Sequence, residues 1–180
     1  MLGLKRGTVR LVPHNTEWAL LFEKEKDLLK KELGNLVLDI QHVGSTAVPG
    51  IPAKPIIDIA IGAKTIRDFE KFIQPLAKEG YIFRENSSSL RSFVFARGPE
   101  ERRICYLHLV KYNGEIWKNY IAFRDYLKTN RKHARDYTSL KEKLSREFPE
   151  ERNKYTAQKS KFIRETIKIA RSIPVYQNYC

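Results

Sequence analysis

The run Pro55-Ile56-Ile57-Asp58-Ile59-Ala60-Ile61-Gly62 constrains this chain more than any other stretch. It is β-branched and apolar on both faces, the pattern of a central strand covered on both sides. Alternation puts Asp58 on one face with Ile56 and Ala60, and turns Ile57, Ile59 and Ile61 to the other. A carboxylate in that setting is costly to bury unless it meets a cation, a metal or a set of donors. The strand therefore demands a partner for Asp58.

The segment before it suggests one. A short apolar run, Leu36 to Ile40, reads as a strand leading into Gln41-His42-Val43-Gly44-Ser45-Thr46, followed by a loop with Pro49, Gly50, Pro52 and Pro55. Gly44 has no side chain to obstruct a phosphate, and Ser45 and Thr46 add hydroxyls and amides. The prolines stiffen the loop, and Lys54 stands beside it as a compact positive charge. A plain tight turn with a Lys54–Asp58 pair is the rival reading.

Around this centre the pattern alternates helix and strand. Asn15 or Thr16 can cap a helix whose apolar face includes Trp18, Leu21, Phe22, Leu28, Leu29 and Leu33, with Gly34 as its stop. A second helix is expected from Thr65 to Leu76 with Gly80 beyond it, kinked or split at Pro75. Tyr81 to Arg84, Leu90 to Ala96 and Ile104 to Lys111 read as strands, the first two as a pair, and then only helices follow, at 116–129, 131–147 and 150–171. No internal repeat or low-complexity tract interrupts the pattern.

Charge and cysteine content narrow the classes. There are 34 Lys and Arg against 21 Asp and Glu, a formal +13, and residues 128–171 alone hold fourteen basic and six acidic residues. Such a field attracts phosphates, whether of nucleotides, nucleic acid or a membrane surface, and it also describes a solvated helix face. No stretch approaches the roughly 18 apolar residues of a membrane span, and Met1 to Arg10 lacks an apolar signal core. A protein without membrane association, unprocessed and cytoplasmic, is expected. Two cysteines, Cys105 and Cys180, make neither a disulfide framework nor a four-cysteine zinc site, and both are expected reduced.

The sequence His42-Val43-Gly44-Ser45-Thr46-Ala47-Val48-Pro49-Gly50, followed by Ala53-Lys54-Pro55-Ile56-Ile57-Asp58-Ile59, resembles the signature of the GrpB (UPF0157) family of the nucleotidyltransferase superfamily. The resemblance extends to Val9–Trp18, Leu107-His108-Leu109-Val110, Phe123-Arg124-Asp125-Tyr126-Leu127, Tyr137–Lys141 and Tyr155–Ile163, roughly residues 9 to 167. It implies an α+β fold: a nucleotidyltransferase-like mixed β-sheet core over 1–114, with a basic C-terminal helical segment over 115–172 appended to it within one domain. In that superfamily a Gly-Ser turn holds a triphosphate. Carboxylates at i and i+2, with a third on a later strand, hold divalent metals about 4 Å apart for transfer to a hydroxyl. Here the i+2 position is Ala60, and the later strand offers His108 instead of an acid.

Three functions follow from these residues. The first is a metal-dependent nucleotidyltransferase, with Asp58 and His108 catalytic and binding Mg²⁺ or Mn²⁺, or Zn²⁺ as a softer ion. In it His42, Gly44, Ser45, Thr46, Lys54, Arg91 and Arg124 would bind a nucleotide or other phosphorylated small molecule. The second is a module that binds nucleotide or another anion without chemistry, having lost the other carboxylates. The third is nucleic-acid binding through the basic helices. Against the first two stands a structural reading of His42 and His108 as strand histidines satisfied by backbone partners. Arg97, Arg102 and Arg103, near the strand pair, can also approach a phosphate. Arg124, Lys141, Tyr155 and Lys159 match family positions, which i, i+4 pairing and ring packing explain equally well.

Overall fold

The computed structural model describes residues 2–174. Five strands form one mixed sheet in the order β1-β2-β5-β4-β3, where β1 is Asp39–Val43, β2 Ile57–Ala63, β3 Tyr81–Phe83, β4 Ser92–Arg97 and β5 Cys105–Lys111. Only the β2–β5 pair is parallel; the other three pairs are antiparallel. Helices α1 (Glu17–Leu33) and α2 (Glu70–Lys78) precede and follow β2, and α3 (Glu115–Thr129), α4 (Arg131–Glu147) and α5 (Arg152–Ser172) follow β5. The fold is α+β, as expected.

The alternation read in β2 organises the packing. Ile57, Ile59 and Ile61 enter the main core with Trp18, Phe22, Leu29 and Leu33 of α1 and Phe72 and Leu76 of α2. Ala60, on the opposite face, packs with Val43, Val110, Trp117 and Ile121 of α3. Helices therefore cover both faces, which is why β2 tolerates no polar residue except at Asp58. Helix α3 comes so close that a Cβ at Gly62 would stand 2.9 Å from the Trp117 ring and 2.8 Å from Tyr112. At the N-terminus of α1 it is Asn15 that caps, accepting the Glu17 amide at 2.8 Å. Asn130 likewise accepts from His133 ahead of α4.

Two boundaries differ from the sequence reading. Leu36 closes a 3₁₀ turn, Gly34–Leu36, and β1 starts only at Asp39, because β2 and its extension end near Gly62 and offer Leu36 no strand to pair with. Residues 65–69 form turns and α2 begins at Glu70, with Pro75 inside one helix. Ile66 and Phe69 still pack on the core from those turns, so apolar spacing alone did not mark a helix there. Cys105 is a buried free thiol, and Cys180 lies outside the described residues.

Candidate functional site

Asp58 is the second residue of β2, and the strand register sets its neighbours. Val43 is opposite it on β1 and Tyr106 on β5. His108, two residues beyond Tyr106 on the same face, brings Nε2 to 3.6 Å from Asp58 Oδ1, beyond hydrogen-bond length but within ion-pair range. The His108 ring in turn lies 5.3 Å from that of Tyr120 on α3. The Asp58 side chain is 35% exposed, so its oxygens are reachable.

Gly44 meets Asp58 from the loop. It sits at φ 71° and ψ −170°, a region nearly reserved for glycine. A Cβ there would stand 2.6 Å from Asp58 Oδ2. The sequence reading gave Gly44 the task of leaving room for a phosphate; what it leaves room for is the carboxylate. Ser45 touches the Tyr137 hydroxyl, and burial pushes that phenol up to about 12.

The cations gathered here come from opposite ends of the chain. Burial drives the Lys54 amine down to about 7, aided by Lys159 and Arg152 and opposed by Asp58. Lys159 falls to about 8 for the same reason, again with Asp58 opposing and Arg152 adding to the fall. Both amines lie over the Tyr155 ring, Lys54 Nζ at 5.6 Å and Lys159 Nζ at 4.4 Å from its centroid. Burial would raise the Asp58 carboxyl, but His108, Lys54 and Arg152 hold it below the usual carboxylate range. Lys141, 1% exposed, donates to the Pro52 carbonyl over the Tyr137 ring and is pushed down to about 7, chiefly by burial. Asp58 is thus the carboxylate that favours the charged forms of Lys54 and Lys159, while Lys54 and Arg152 in turn favour its own.

Four residues expected at the phosphate are engaged elsewhere. His42 faces away from Asp58 in the register, stacks on Phe22 at 4.8 Å and shares a 2.9 Å hydrogen bond with the Thr46 hydroxyl. Burial drives it down to about 4, so it is neutral, and Thr46 is 3% exposed. Arg124 pairs with Asp125 and ties α3 to β1 through Gln41 and the His42 carbonyl. Arg91 pairs with Glu115 at the Val110 end of β5, away from Asp58, because β4 runs antiparallel and carries its N-terminal end there. In their place α5 contributes Arg152, Tyr155 and Lys159. Lys159 and Tyr155 were visible as family-matching positions; Arg152 carried no signal.

Metal ligation was tested against this geometry. Among the described residues no three His, Cys, Asp or Glu side chains converge on one point. Asp58 and His108 supply two donors at most, and the nearby cations repel a bare dication. The residues present do not fit a preformed Mg²⁺ or Mn²⁺ site of the superfamily kind.

Comparison with known proteins gives consistent matches. The family model described as GrpB protein matches residues 8–168. The glutamate-rich protein GrpB of Alkalihalophilus pseudofirmus is 41% identical over 171 residues, 93% of this chain and 98% of that protein. A dephospho-CoA kinase of Mycolicibacterium paratuberculosis is 35% identical over 102 residues, 55% of this chain and 25% of that protein. The crystal structure of conserved protein GrpB from Enterococcus faecalis superposes with a TM-score of 0.83 at 27% identity, covering 94% of this chain and 99% of that one. Among the described residues no helix is long and apolar enough to cross a membrane.

Proposed function

The chain belongs to the GrpB family, and from that premise we propose that it binds a nucleotide or other phosphate-bearing small molecule at the Asp58 cluster without needing a metal. The observation that carries this is a pair of buried amines at one ring: Lys54 and Lys159 both lie over Tyr155, and both are held well below the ordinary lysine value by burial, with Asp58 the acid that opposes the fall. Cations left so crowded by burial and mutual repulsion are relieved by a dianion. Lys54 and Lys159 would neutralise phosphate oxygens, and Arg152 offers a planar fork for two of them. A stretch of this chain recurs in a protein named a dephospho-CoA kinase, which favours phosphorylated small molecules over nucleic acid as the ligand class.

Transfer of a nucleotidyl group is a second reading, favoured by the Asp58–His108 pair on one face of the sheet. There His108 would accept the proton of an attacking hydroxyl, and Asp58 would stabilise the resulting imidazolium.

Calorimetric titration with orthophosphate and with ATP, with and without Mg²⁺, tests the binding. Lys159→Met is expected to weaken orthophosphate by about tenfold, the scale of one charge-assisted hydrogen bond. Asp58→Asn, which removes a negative charge from the pocket, should tighten metal-free phosphate binding while abolishing any turnover. Strong Mg²⁺ enhancement of affinity, or phosphate binding indifferent to Lys159→Met, would sink the proposal.

A further inference from the structure

Arg152 also belongs to a cavity on another side of the Asp58 cluster. This cavity of 540 Å³ lies beside Tyr106, the register partner of Asp58, and its wall includes Arg6, Arg84, Arg103 and Arg152. Arg152 stands at the boundary: its charge reaches Asp58 and Lys54, while its guanidinium lies 4.6 Å over the Tyr106 ring. The cavity and the Asp58 cluster are therefore linked by Arg152 and by the Asp58–Tyr106 pair of the sheet.

Guanidiniums outnumber carboxylates on this wall. Arg6, Arg84 and Arg103 all turn to one acid, Glu100, at 2.6, 3.7 and 4.0 Å. Glu151 is taken by Lys154 at 2.5 Å, and Glu150 adds one further carboxylate. Two donors remain unmatched: Nε of Arg103 and Nε of Arg152 are buried without a hydrogen-bond partner. The Arg103 side chain is 2% exposed and donates Nη1 to the Gly98 carbonyl, so it is Nε alone that lacks a partner there. Convergent guanidiniums suit phosphate oxygens, which they grip two at a time. A flat ring has less to offer here, because Arg152 already covers the Tyr106 face.

Resting on the reading of the Asp58 cluster given above, we propose that this cavity is the second half of the same site. The ligand is then a small molecule bearing a chain of two or more phosphates, one at Lys54 and Lys159 and the next at Arg152 and Arg84. Arg152 joins the two subsites.

Metal-free titration of the whole protein with orthophosphate and tripolyphosphate separates the halves. Tripolyphosphate should bind at least about tenfold tighter than orthophosphate. Arg84→Gln should erase most of that gap. Arg84 contacts Glu100 only at 3.7 Å, so the fold should survive its loss. Asn86→Asp, at an exposed position on the same wall, gives an independent probe that acts by repulsion. A missing gap, or a gap that both variants leave intact, overturns the second subsite while the Asp58 reading stands. If orthophosphate does not bind, or Lys159→Met changes neither ligand, the Asp58 reading itself fails and this inference with it.

Discussion

At the scale of single residues, Gly44 shows how closely the loop and the acid are fitted. Alanine there would combine a positive φ with a Cβ 2.6 Å from the Asp58 carboxylate, whereas Gly50, also at positive φ, has nothing within 4 Å. Gly44→Ala should therefore cost about 1–3 kcal/mol more than Gly50→Ala in urea unfolding, the range for local strain plus a displaced neighbour. Equal losses would show that the contact is idle. Asp58 and His108 were legible from the sequence, because a charge within an apolar strand and strand alternation are both local signals. Alternation likewise sends His42 to the Phe22 face, although its place in the loop motif also offered it to a phosphate.

At the scale of elements, helix α3 is the lever between core and site. It packs Trp117 against Gly62, places Tyr120 beside His108, and anchors β1 through Arg124. Gly62→Ala would drive a methyl into Trp117 and should destabilise the fold by about 1–3 kcal/mol, as overpacking does. It should also weaken phosphate binding, measured by titration beside a thermal melt; a normal melting temperature would contradict the close approach. The three C-terminal helices were legible from their apolar spacing. Which of their charges converge on β2 was not, since Arg152 and Lys159 lie about a hundred positions beyond Asp58 and nothing in helical periodicity reports that meeting. Arg91 failed in the converse way, because the direction of β4 carries it to the far end of β5.

At the scale of the whole molecule, the formal +13 is partly gathered where it is least comfortable. Lys54 and Lys141 titrate near 7 and Lys159 near 8 in the folded protein, while the unfolded chain keeps them protonated to roughly the ordinary lysine value. The unfolded state then binds more protons between about 7 and 10, so this contribution makes stability rise with pH across that window. The melting temperature should climb over that range without phosphate, and climb less in Lys159→Met. Bound phosphate favours the charged amines, so its affinity should fall as pH rises through 7 to 8. Binding that strengthened with pH would contradict the assignment. The parallel β2–β5 pair and the late arrival of α5 also carry a consequence for biogenesis. During synthesis the ribosome releases the glycine bend and its acid long before Arg152 and Lys159 emerge, so the charged cluster at Asp58 is completed only when α5 docks.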